Sequence, residues 1–239
     1  MTTIATHQPS YLVWPPHLEK MARSDLFVFL DDVQYTRNSE IHRNKVLSPQ
    51  KPVWLSIPVG TPGRVPIREV EISDRDWPQR HLKTIQHCYG NAPFYSGELR
   101  GSFEELYTRQ WDDLLTVNVV FTEWLRDAFG IKTPLIYSSE LGVTTTSSQR
   151  ILDICKAVGT DRYLTGTGGL DYMELENYEA EGVEVLVQDY THRPYPQQFN
   201  YQEFQPRMSA IDMLFNLGPD ACSEMMNRGL WKEFGVAVA

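Results

Sequence analysis

The chain has 239 residues, of which 41% are apolar and 22% charged, and its formal net charge is −9. That balance excludes disordered and fibrous classes, and the length suits one large α/β domain or two small ones. An acidic surface repels phosphate backbones and anionic lipid, so neither nucleic acid nor membrane is expected as a partner.

Residues 2–6 read as a short strand, followed by the loop 7–16. Pro15 and Pro16 suit a first helical turn, and a helix is predicted over 17–22. The apolar run 26–30 predicts a strand buried on both faces. Strand, loop, helix and strand in succession form a βαβ unit with a parallel pair. The loop 7–16 then stands at the carboxyl edge of the first strand, where open α/β sheets bind their ligands.

Residues 53–59 and 70–72 are further strand candidates, separated by a Gly- and Pro-rich loop at 60–66. Helical spacing runs over 77–89, 99–107 and 114–129, and 133–138 carries a strand signal. A helix over 147–158 takes Ser147 or Ser148 as its cap. A strand at 162–165 enters the turn GTGG, a helix follows over 171–181, and 183–188 is a strand by apolar content. Helices over 208–216 and 220–229 close the chain. No repeat or linker interrupts this order. The prediction is one α/β domain over 1–239, with a mostly parallel central sheet, helices on both faces and a helical C-terminal part.

The three cysteines, Cys88, Cys155 and Cys222, are far apart and form no CxxC pair. A disulfide scaffold and a structural zinc site are therefore not expected, and no metal site is proposed. The start MTTIATHQPS lacks a basic leader region, and no apolar run approaches the roughly 20 residues that cross a bilayer. A cytoplasmic protein is expected.

Four groups of residues can carry chemistry. His7, Gln8 and His17 flank the first loop; imidazoles titrate near neutrality and suit proton transfer. The start of the first helix carries partial positive charge and free amides, which suit an anion. Asp31, Asp32, Gln34, Arg37, His42, Arg43 and Asn44 follow the buried strand; acids there can hold a hydroxyl and arginines an anion, or the set can form an ion-pair network. The turn GTGG matches neither GxGxxG nor GxxxxGK[ST], so it is either an anion-binding turn or a tight one. Trp77, His81, Ile85 and Tyr89 share a helical face that reads as core, and DYTHRPYPQQF (189–199) reads as a loop able to cover a pocket. No GxSxG, HExxH or HxE…CxxC pattern exists.

Taken together, HQPSYLVW at residue 7, LDDVQYTR at 30, HRN at 42, VWLSIPV at 53, WPQRHLKTIQHCYGNAPFY at 77, YLTGTGGLDYM at 163, YPQQF at 195 and SAIDMLFNLG at 209 resemble the WbqC-like protein family. The similarity runs the length of the chain in the family's order. Val13, Pro16, His17 and the His of HRN depart from its usual pattern, which argues against a family-wide role for His17. The family is associated with bacterial surface-polysaccharide (O-antigen) and natural-product gene sets. The resemblance implies a cytoplasmic small-molecule tailoring enzyme. It carries His7, Gln8, Tyr11, Asp31, Gln34, Arg43, Asn44, His81, Gly166 and Tyr172 over as site candidates, to which Trp14 of the aromatic first loop is added. A weaker, fold-level similarity is to nucleotidyltransferase-like (HUP/Rossmann-like) proteins, although their HxGH signature is missing.

The lead expectation is a transferase or ligase forming an amide or ester on an amino sugar or amino-acid-like substrate. His7, Asp31 and Arg43 would be catalytic, and Gln8, Tyr11, Trp14, Gln34, Asn44, His81, Gly166 and Tyr172 substrate-binding. All of them would converge on one cavity. The expected partners are a small-molecule substrate with an activated acyl donor or a nucleotide, and a second copy of the chain; no cofactor is indicated. The alternatives are nucleotide-dependent activation or nucleotidyl transfer, and a non-catalytic binding or assembly protein.

Overall fold

A computed structural model describes residues 1–60, 63–199, 201 and 203–227. The chain opens with β1 (Thr3–His7), α1 (Pro15–Ala22) and β2 (Leu26–Phe29). A hairpin, β3 (Arg43–Leu47) and β4 (Pro52–Ser56), and three helices, α2 (Trp77–Tyr89), α3 (Gly97–Leu106) and α4 (Leu114–Ala128), intervene before β5 (Leu135–Tyr137). Then α5 (Ser147–Val158) leads to β6 (Arg162–Gly166), and the short α6 (Thr167–Leu170) and α7 (Leu175–Ala180) lead to β7 (Glu184–Gln188). Helices α8 (Ala210–Leu217) and α9 (Pro219–Asn227) follow.

Five strands form a parallel sheet in the order β5-β2-β1-β6-β7. Ile4 of β1 stands opposite Leu26 on one side and Tyr163 on the other. The chain builds outward from β1 through β2 to β5, then returns to lay β6 and β7 along the other flank of β1. That reversal makes the carboxyl ends of β1 and β6 the switch point at which such sheets open a crevice.

Side chains alternate across a strand, so each strand feeds two cores. Ile4 and Val28 pack with Ile151, Leu152 and Ile154 of α5 and Tyr178 of α7 on one face. Ala5, Phe27 and Phe29 pack with Leu18 and Met21 of α1, Phe121 and Leu125 of α4 and Leu214 of α8 on the other. Helices thus cover both faces, as predicted. Each fully buried Leu, Ile or Phe contributes about 1.5–3 kcal/mol to holding the layers together.

Local departures from the predicted elements have identifiable causes. Residues 43–47 form a strand that sequence reading took for a polar motif; its partner β4 stops at Ser56, two residues before Pro58, which has no N–H for a ladder. Residues 70–72 form isolated bridges, Val59 with Ile72 and Glu71 with Asp113, after a 3₁₀ turn at Ile67–Glu69. The helix predicted over 171–181 is shorter, Leu175–Ala180, and the GTGG turn before it is itself helical at Thr167–Leu170; between the two, the Glu174 N–H donates to Ser148 Oγ at 3.0 Å. The last two positions of the helix predicted over 220–229 lie outside the described residues.

The first loop is shaped from outside. Asn44 donates to the carbonyls of Tyr11 and Leu12 at 3.3 and 2.8 Å, and Asn118 donates to those of Pro9 and Ile41 at 3.0 and 2.7 Å. Leu12 sits at φ 45°, a left-handed conformation that costs a branched residue on the order of 1–2 kcal/mol. The two amides hold it there.

Candidate functional site

β1 delivers His7 to the sheet's carboxyl edge. Its Nδ1 lies 2.9 Å from the Gln8 carbonyl. A carbonyl only accepts, so Nδ1 carries the proton and Nε2 keeps a bare lone pair. Burial, and then the nearby Lys20 charge, lower the His7 pKa to about 3, so the imidazole is neutral.

α1 places His17 and Lys20 three residues apart on one helical face. The His17 ring packs against those of His7 on β1 and Phe27 on β2, and the adjacent Leu18 and Met21 lie in the core. The His17 ring centroid is 4.2 Å from that of His7, and neither of its buried ring nitrogens has a hydrogen-bond partner among the described residues. Burial, followed by the neighbouring His7 ring and the Lys20 charge, holds its pKa well below the usual imidazole range. Lys20 Nζ donates to the Thr6 carbonyl at 2.8 Å, and burial lowers its pKa to about 8.

A cavity of about 370 Å³ opens between these residues and the end of β6. Gly166, Thr167 and Gly168 form one wall, and a side chain added at either glycine would meet nothing within 4 Å. Gln188, Asp189, Tyr190 and His192, which leave β7, form another, with Trp14 and Pro16 beside them and Arg207 also in the lining. Gln188 Nε2 ties this wall to α1 by donating to the Pro16 carbonyl at 2.8 Å and to Glu19 Oε2. His192 packs against Trp14 and Tyr190, with ring centroids 5.8 and 4.9 Å away. The volume falls within the range of small-ligand sites.

The segment that carries these aromatics is fastened below. Asp212 of α8, fully buried, accepts from Tyr195 Oη at 2.6 Å, Gln197 Nε2 at 2.9 Å and Tyr89 Oη at 2.9 Å. Gln197 in turn exchanges two bonds with the backbone of Gln205. Burial raises the Asp212 pKa, opposed by the three hydrogen bonds it accepts.

Of the sequence candidates, His7, Trp14 and Gly166 line the cavity, as does His17, and Gln8 supplies the carbonyl that orients His7. The expected convergence of the others does not occur. Asp31 accepts from Ser138 Oγ and from the N–H and Oγ of Ser139, beside the half-buried Asp32–Arg150 pair. Arg43 donates to the Asn38 carbonyl and lies over the Trp54 ring. Asn44 braces the first loop. Tyr11 and His81 belong to a closed network: His81 Nε2 donates to the Ser56 carbonyl, so Nδ1 accepts from Tyr11 Oη, which accepts from Tyr107 Oη at 2.7 Å. Gln34 bridges to Pro66 and lines a separate hollow with Arg37, and Tyr172 is exposed outside the cavity. Nor does the first turn of α1 offer the free amides expected for an anion: Pro15 and Pro16 have none, and the His17 N–H donates to Trp14.

Sequence reading singled out 189–199 as pocket cover, and Tyr190 and His192 come from it. It missed Lys20, which reads as a solvated helix position, and Gln188 and Arg207, which no motif marks. Among the described residues no group of three His, Cys, Asp or Glu side chains is placed to hold a metal ion. No helix among them is long and apolar enough to cross a membrane.

The "Uncharacterized protein Rv1507c" of Mycobacterium tuberculosis is 27% identical to this chain over 225 residues, which are 92% of this chain and 96% of that protein. No solved structure matches. The WbqC-like protein family matches residues 8–224, from the loop that orients His7 into the last described helix, and the chain belongs to that family.

Proposed function

We propose that the protein is a small-molecule group transferase or ligase that works in the cavity at the switch point, with His7 Nε2 accepting the proton of the attacking group. The supporting observation is the fixed tautomer: the Gln8 carbonyl holds Nδ1–H and leaves Nε2 free beside an open space. An acceptor hydroxyl or amine attacks an activated carbonyl carbon, its proton passes to Nε2, and the bond from that carbon to the leaving group breaks. Burial and the Lys20 charge keep the imidazole a weak base. A bound negative charge offsets both and raises its proton affinity, so basicity arrives with the substrate. The family's association with surface-polysaccharide and natural-product gene sets favours an amide or ester formed on an amino sugar or amino-acid-like acceptor.

Mass spectrometry of products from candidate amino sugars and activated acyl donors tests this reading. His7→Asn is expected to cut turnover by about 10²–10⁴ while the melting temperature holds. Full turnover in that variant overturns the role. The strand order favours a second reading, nucleotide-dependent activation, because nucleotides bind at such switch points. Thermal shifts with ATP or CTP and Mg²⁺ separate the two.

A further inference from the structure

We propose that Lys20 and His17 form an oxyanion subsite on the floor of the cavity, which takes a phosphate or carboxylate group of the substrate. This rests on reading the cavity as the substrate site.

Lys20 is 6% exposed and forms no ion pair with any described residue. Its one acceptor among the described residues is the Thr6 carbonyl, which leaves two of three ammonium N–H groups for the cavity. A buried ammonium without a counter-charge is costly, and a neutral amide or hydroxyl would serve that carbonyl without the cost. The ammonium is therefore explained by something the protein does not itself provide. His17 gives the second, independent observation. It is 1% exposed, lines the same cavity, and has no partner for either nitrogen among the described residues, although a neutral imidazole always carries one N–H.

The surrounding charges leave the site positive. His7 faces Lys20 from β1 as a neutral ring whose N–H is turned to Gln8. Glu19, on the same helix, is engaged by Gln188 and lies in the field of Arg23 and Arg193. From the segment after β7 come Tyr190, the His192 ring and the exposed Asp189, the one carboxylate in the lining, and Arg207 adds a second positive charge to it. A positive cavity in a chain of net charge −9 selects for an anion locally where the surface as a whole repels it.

Calorimetric titration of the full chain with inorganic phosphate, pyrophosphate, sulfate and acetate tests the subsite. At least one should bind to the wild type; preference for pyrophosphate marks a phosphoryl-bearing substrate, and preference for acetate a carboxylate. Lys20→Met is expected to weaken that binding about tenfold or more, and Lys20→Arg to restore part of it. Sulfate keeps its charge across neutrality, so its affinity should fall as pH rises through about 8, where Lys20 loses its proton. If His7→Asn turns over normally while Lys20→Met loses the anion, the group-transfer reading fails and the subsite stands. No binding of any of these anions at about 50 mM, or equal binding by Lys20→Met, overturns the subsite. Where Lys20→Met does not fold, the ¹⁵N resonances of His17 in the wild type decide: they should move on saturation with the bound anion, and unmoved resonances overturn the proposal.

Discussion

Replacing Asp212 with Ala removes the acceptor that joins α8, α2 and the segment covering the cavity. Tyr89 is fully buried, so its hydroxyl finds no water when Asp212 is gone, and an unsatisfied buried donor costs roughly 1–3 kcal/mol. Tyr195 and Gln197 are half-buried and can rehydrate, so each loses on the order of 0.5–1 kcal/mol. Relief of the carboxylate's own burial, visible in its raised pKa, returns part of this. The net expectation is a loss of about 2–3 kcal/mol in urea unfolding, with an unchanged denaturant slope. Hydrogen exchange should accelerate over 189–199 before the sheet is affected, because that segment loses two of its anchors. A loss below about 0.5 kcal/mol, or uniform exchange, would refute the claim that Asp212 preorganises the cavity wall.

Three further outcomes follow from the same geometry. Gly166→Val should fill the cavity without harming the fold, since φ is −83° and an added Cβ meets nothing within 4 Å; unfolding stability should stay within about 1 kcal/mol while anion affinity drops about tenfold, and unchanged affinity counts against the site. Burial raises the Glu19 pKa from 4.5 to about 7, so its contribution to stability is present below the unfolded value and is lost as pH rises through about 7. Glu19→Gln should therefore gain on the wild type between about pH 5 and pH 8, by up to about 3 kcal/mol, and parallel urea midpoints across that range would contradict it. Conversely, burial lowers the His81 pKa from 6.5 to about 4, so its contribution is full above about 6.5 and fades as pH falls; Tyr11→Phe should remove two buried hydrogen bonds, leave His81 Nδ1 and the Tyr107 hydroxyl without that partner, and cost about 2–3 kcal/mol at neutral pH, read from the same unfolding curves.

Much of the fold was legible because periodicity and turn chemistry agreed locally. The helices at 77–89 and 147–158 carry clear apolar faces, and the opening βαβ unit follows from TIATH, the two prolines and the apolar run after them. Strand β3 escaped notice because Arg43, Asn44 and Lys45 read as chemistry, while the alternation that makes them a strand shows only once β4 is paired beside them. The site was half legible. His7 and Gly166 were expected at one sheet edge, and parallel pairing of β1 with β6 brings their strands side by side. Asp31, Arg43, Asn44 and His81 share the sequence look of a site, but each satisfies a neighbour in the scaffold. Lys20 was invisible for the opposite reason: nothing in PPHLEKMA says that its lysine is buried, because the carbonyl it meets and the wall that covers it come from other segments.

The account turns on the state of one ring, which ¹⁵N NMR of His7 in the ligand-free chain near pH 6.5 reads directly. A neutral imidazole with its proton on Nδ1 and a bare Nε2 is the predicted result. A charged ring, or a proton on Nε2, would contradict it.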